Sequence, residues 1–98
     1  MNSAKFQLGR VVATPGALEA LEEASQGAEH FLALHASGNW GELDAEDRKA
    51  NDQAIAHEGD PDRQQRVLSS HLTRKQEKIW IITEWDRSVT TILLPDEY

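Results

Sequence analysis

The stretch from Lys78 to Leu94 constrains the fold more than any other part of the chain. Lys78-Ile79-Trp80-Ile81-Ile82-Thr83-Glu84 is a run of β-branched and aromatic residues, the types that fit a pleated surface. Side chains alternate across a strand, so Trp80 and Ile82 share one face and Ile79, Ile81 and Thr83 the other. Both faces are apolar, which predicts a central strand. Asp86-Arg87 turns the chain. Ser88 to Leu94 then returns as a partner strand, and Pro95 ends it. A two-stranded hairpin is marginal in water and needs a third strand or a covering helix.

The rest of the chain offers both. Arg66 to Leu72 alternates Val67/Ser69/His71 against Leu68/Ser70/Leu72, a strand joined to the hairpin by the polar Thr73–Glu77 connection. Asp60-Pro61-Asp62 reads as a linker before it. Three helices precede the linker. Thr14 caps the first, with Pro15 at the first helical position, where its missing N–H costs nothing. Ala17, Leu18, Leu21 and Ala24 form its apolar face, and Glu19, Glu22 and Glu23 its solvated one. The second runs from Ala28 to His35 and carries Phe31, Leu32 and Leu34, with Gly38 as a left-handed stop. The third, Ala45 to His57, is capped by Asp44. It is polar and turns only Ala50, Ala54 and Ile55 inward. Phe6 to Val12 opens the chain as a short strand, with Gly9 marking a bulge. Asn39-Trp40-Gly41 is a loop pinned to the body by burial of its indole. The expected architecture is one α+β domain over residues 1–98, in the order β-α-α-α-β-β-β. Its helices cover one face of a three-stranded antiparallel meander.

Composition then narrows the function. The 98 residues suffice for one core. No apolar run approaches the roughly 20 residues that cross a bilayer, and the first residues lack the pattern of a signal peptide. There is no cysteine, which excludes disulfides, thiolate zinc sites and a cysteine nucleophile and points to the cytoplasm. Lys and Arg total 10 against 17 Asp and Glu, a net charge of −7. That is the wrong sign for a binder of nucleic-acid backbone, although Arg63, Arg66, Arg74, Lys75 and Lys78 gather in the second half. Another protein is the expected partner.

Motifs for specific chemistry are absent. The chain has no phosphate-binding glycine loop, no His-Glu-x-x-His and no Gly-x-Ser-x-Gly. Neither a metal site nor a cofactor is expected. His30 and His35 are five apart on a helix and do not share a face. His35 lies on the apolar side, the position of a hydrogen-bonded core histidine. His57 ends a helix, where a cation is favourable. The acids Asp44/Glu46/Asp47 and Asp60/Asp62 cap a helix and form a turn, without the ligand count of a calcium loop. His71 follows two serines on a strand. With Arg66, Thr83 and Thr90 it supplies the residue types for metal-free RNA cleavage: a histidine to move the 2′-hydroxyl proton and an arginine to stabilise the phosphate. Trp85 beside the hairpin turn, with Arg87 and Trp40, supplies the types that anchor a protein partner.

Three stretches carry a resemblance: Gly9-Arg10-Val11-Val12-Ala13-Thr14-Pro15-Gly16-Ala17-Leu18, His35-Ala36-Ser37-Gly38-Asn39-Trp40-Gly41, and Trp80 to Glu84 with Asp86 to Tyr98. Together they resemble a family of small bacterial proteins carried on plasmids and other mobile elements, some labelled type I restriction endonuclease subunit M. The resemblance covers nearly the whole chain. It implies a bacterial or mobile-element origin and brings no activity with it. Asn39 stands where the family usually has Asp, and Trp85 where it usually has Ala. A DNA-methylating subunit needs a methyl-donor fold and an Asn/Asp-Pro-Pro-Tyr/Phe motif, and this chain has neither. The expected function is therefore a non-catalytic accessory protein that binds another protein, of which charge mimicry of DNA is a special case. The alternatives are a small metal-free ribonuclease with a barnase-like order of elements, and a small-molecule binder using the Trp40 loop.

Overall fold

The computed structural model describes residues 4–98. Its elements are β1 (Arg10–Ala13), α1 (Pro15–Glu23), α2 (Ala28–Ala36), α3 (Ala45–Ala56), β2 (Val67–Leu72), β3 (Lys78–Thr83) and β4 (Val89–Leu93), closed by a 3-10 turn at Pro95–Glu97. The fold is α+β, with a strand, three helices and three strands in sequence. The sheet order is β1-β4-β3-β2. β2, β3 and β4 form the antiparallel meander. β1 joins it parallel to β4, making a mixed four-stranded sheet. β3 is an interior strand, as its two apolar faces require.

The caps act as the sequence dictates. Thr14 accepts from the Ala17 amide, and Asp44 accepts from the Asp47 amide. Ala17, Ala20, Leu21 and Phe31 of α1 and α2 meet Ile79, Ile81 and Ile92 in the main core. Phe6, Trp40, Ala54 and Val67 form a second cluster beneath α3. The face bearing Ile79, Ile81 and Thr83 is therefore the helix side.

Local expectations are corrected at three places. The opening strand starts at Arg10 rather than Phe6. Gly9 takes φ +65° and packs against the carbonyls of Arg87 and Ser88, with no space for a Cβ. That kink sends Phe6 away from the sheet into the Trp40 cluster. Leu18 is exposed, because α1 buries the Ala17/Ala20/Leu21/Ala24 stripe instead. In α3 the inward position belongs to Asn51 rather than Ala50. Asn51 donates to the Leu68 carbonyl at 2.5 Å and accepts from the Leu68 amide at 3.1 Å. One side-chain amide thus stands in for a neighbouring strand. The Ser70 amide donates to the Trp40 carbonyl, and the Ser70 carbonyl accepts from Glu42. The outer edge of β2 is closed by these contacts, as edge strands require.

Candidate functional site

The helix side of the sheet buries a chain of polar side chains. His35, on α2, reaches Ser69 Oγ from Nδ1 at 2.6 Å and Thr83 Oγ1 from Nε2 at 2.9 Å. Thr83 pairs across the hairpin with Thr90, and their hydroxyl oxygens lie 2.7 Å apart. Thr90 donates to the Leu8 carbonyl at 2.7 Å. At the other end His71 Nε2 lies 3.1 Å from Ser69 Oγ. His35, Ser69, Thr83 and Thr90 are fully buried, and His71 nearly so.

The Leu8 carbonyl fixes the direction of every bond. A carbonyl only accepts, so the Thr90 proton goes to it. Thr83 then donates to Thr90, and His35 Nε2–H donates to Thr83. His35 Nδ1 accepts from Ser69, and Ser69 accepts from His71 Nε2–H. Both rings therefore carry their proton on Nε2. Burial, with smaller contributions from His71 and Arg87, lowers the His35 pKa to about 3 and keeps the ring neutral. Burial also holds His71 below the usual histidine value; His30 adds to this and Glu42 opposes it. The donors of these five side chains are all satisfied within the chain, whereas Ser70 Oγ, on the opposite face of β2, is buried without a partner among the described residues. The same bonds fix where α2 sits on the sheet.

Arg66 does not join this group. Its guanidinium bonds the Tyr98 hydroxyl at 2.5 Å and lies over the Tyr98 ring. Tyr98 in turn meets Trp80, edge to face, on the helix-free side. His71, Thr83 and Thr90 are brought together, but under helices and away from Arg66. A phosphate has no route to Thr83 or Thr90, so the four ribonuclease candidates form no pocket. No group of three or more metal-ligating side chains is gathered among the described residues.

Arg87 and Trp40 also lie inside. Arg87 is 8 % exposed and grips Glu58 from Nε at 3.1 Å and from Nη2 at 2.7 Å. Its Nη1 donates to the carbonyls of Gln65 at 2.7 Å and Glu84 at 2.9 Å. The ring of Phe6 stacks beneath it. This side chain clamps the hairpin turn to the end of α3. Trp40 packs in the second core and donates to Asp52 at 3.1 Å. Its burial pins the loop as expected and leaves only 6 % of the residue exposed, at a groove shared with Lys5, Gly38, Asp52 and Ile55.

Comparison with known proteins gives no matching family model, curated protein or solved structure.

Trp85 is different. The residue is 55 % exposed, while its carbonyl accepts from Gln64 Nε2 at 2.6 Å and from Arg87 Nη1 at 3.3 Å. A rigid backbone therefore presents a free indole. The next residue inward, Glu84, lines a groove of about 240 Å³ with Ile82, Thr91, Leu93 and Tyr98. This groove lies on the helix-free face, where Leu72 is 37 % and Tyr98 69 % exposed. On the helix-free face Arg66 and Lys78 are offset by Glu84 and Glu97, which line the groove, so this aromatic face is close to neutral. No helix of the described residues is long and apolar enough to cross a membrane.

Proposed function

We propose that the chain is a non-catalytic protein-binding accessory factor, meeting its partner through Trp85 and the helix-free face of the sheet. The observation that carries this reading is the half-exposed indole of Trp85 on a turn clamped by Arg87 and Gln64. Large aromatic anchors on rigid backbone bind with little loss of conformational freedom. The partner it fits is a protein surface with an aliphatic centre and carboxylates at the rim, opposite Arg66 and Lys78. The resemblance to small mobile-element proteins bears only on a bacterial or mobile-element origin. Ribonuclease action has no support in the placement of Arg66, and small-molecule binding none in the buried Trp40.

The test is a crosslinking map in bacterial cells. A photoreactive residue placed at Trp85 or Tyr98 is expected to capture one protein in common, and a probe at Glu46 on α3 is expected to miss it. Equal capture from Glu46, or none from either aromatic position, refutes the reading.

A further inference from the structure

The two edges of the sheet are treated differently. Asn51 and the Trp40–Glu42 segment close β2. The opposite edge, β1, has no such cover among the described residues. The Arg10 amide donates to the Ser88 carbonyl and the Thr14 amide to the Ile92 carbonyl. The register pairs Val11 with Thr90 and Val12 with Thr91. In a parallel ladder alternate residues face the partner strand, so Arg10, Val12 and Thr14 face β4. The N–H and C=O of Val11 and Ala13 point outward.

Apolar side chains follow the same edge. Val11, on the helix side of the sheet, is 43 % exposed, and Leu18 is 54 % exposed. Gly16, on one flank of α1, packs against Leu94 and Glu97 beyond the end of β4. Leu18 is two residues on, about 200° around the helix, so it lies on the flank toward the free edge. Two exposed aliphatic groups thus border an unpaired strand, an arrangement that promotes strand addition.

We infer that the β1 edge binds a second copy of this chain, giving a two-fold dimer with one continuous eight-stranded sheet. The occupant follows from self-complementarity. In an antiparallel pairing centred on Val12, the outward groups of Val11 meet those of Ala13 in the other copy as a close hydrogen-bonded pair, and the two-fold repeats it. Arg10 falls opposite Thr14, so no like charges oppose one another on the strands. Val11 and Leu18 of both copies come together on the helix side, as an isologous contact requires. Gly9, kinked at φ +65°, and Pro15, with no N–H, limit the pairing to this short length. The contact is therefore small and concentration-dependent. Glu22 follows Leu18 on the same flank, and each copy carries a net charge of −7. Salt is expected to strengthen the association by screening this repulsion.

The test is sedimentation equilibrium between about 5 µM and about 1 mM protein, at low and high salt. The mass is expected to rise from 11.0 kDa toward twice that value, and to do so at lower concentration in high salt. Val11→Pro removes an outward N–H and leaves the β1–β4 ladder intact. It is expected to stay monomeric with an unchanged circular dichroism spectrum. Amide exchange on the native chain serves if that variant unfolds. The Val11 and Ala13 amides should be protected only at high concentration, and Arg10 and Val12 at both. A native chain monomeric throughout, a folded Val11→Pro variant that dimerises equally, or Val11 and Ala13 amides that never gain protection would each overturn the inference.

Discussion

Acidification below neutral pH should destabilise this protein through His35. The ring is fully buried between α2 and the sheet, with both nitrogens bonded to hydroxyls. Its Nδ1 accepts from Ser69, so a second ring proton has no acceptor there. The folded pKa is about 3, against 6.5 for the free side chain. A depressed value means that the unfolded chain binds the proton first. The stability tied to neutral His35 is therefore complete above about pH 6.5 and is lost as pH falls from 6.5 toward 3. One proton costs about 1.4 kcal/mol per pH unit, so the loss is about 2 kcal/mol at pH 5 and about 3 kcal/mol at pH 4. Against a domain stability of about 5–15 kcal/mol that is a large share. His71 titrates in the same direction and steepens the fall. The window between about pH 7 and pH 5 isolates the histidines from most carboxylates. The assay is urea unfolding followed by tryptophan fluorescence at half-unit pH steps. His35→Gln should be less stable at neutral pH by about 2–4 kcal/mol through lost packing and hydrogen bonds. Its stability should nevertheless vary much less with pH. A native chain whose stability is flat from pH 7 to pH 5, or a His35→Gln variant with the same slope, refutes the reasoning.

Two further outcomes concern the devices that hold the sheet. Asn51→Ala leaves the Leu68 amide and carbonyl without partners and should cost about 2 kcal/mol in urea unfolding; a loss under about 0.5 kcal/mol would show that water replaces the side chain. Arg87→Lys keeps the charge beside Glu58 but cannot reproduce the fork to two carbonyls. It should lower stability by about 2–3 kcal/mol, and unfolding within error of the native chain would remove the clamp from the account.

Much of the fold was legible in local pattern. The two apolar faces of Lys78–Glu84 required an interior strand, and Thr14, Asp44 and Gly38 acted as caps and stop. What the pattern missed came from contacts between distant segments. Gly9 kinks because the hairpin turn packs on it, so Phe6 leaves the strand. Asn51 displaces Ala50 from the inward position because an edge strand needed a donor and an acceptor, which an alanine lacks. The candidate site was half legible. Thr83 and Thr90 face each other because the turn at Asp86-Arg87 sets that register. Arg66, just before β2, and His71 are five positions apart, an odd spacing, so alternation alone puts them on opposite faces. The partnership of His35 with Ser69 and Thr83 joins residues 34 and 48 positions apart and left no mark in spacing. Arg87 carries the look of a binding residue, yet its burial depends on Glu58 and Gln65, which are remote in sequence.

The claim that this chain acts by binding rests on Trp85, and the affinity of the crosslinked partner for purified native and Trp85→Ala protein tests it most directly. The account predicts a loss of at least about tenfold, as for a buried aromatic anchor, with an unchanged unfolding midpoint. Equal affinity of the two proteins would contradict it.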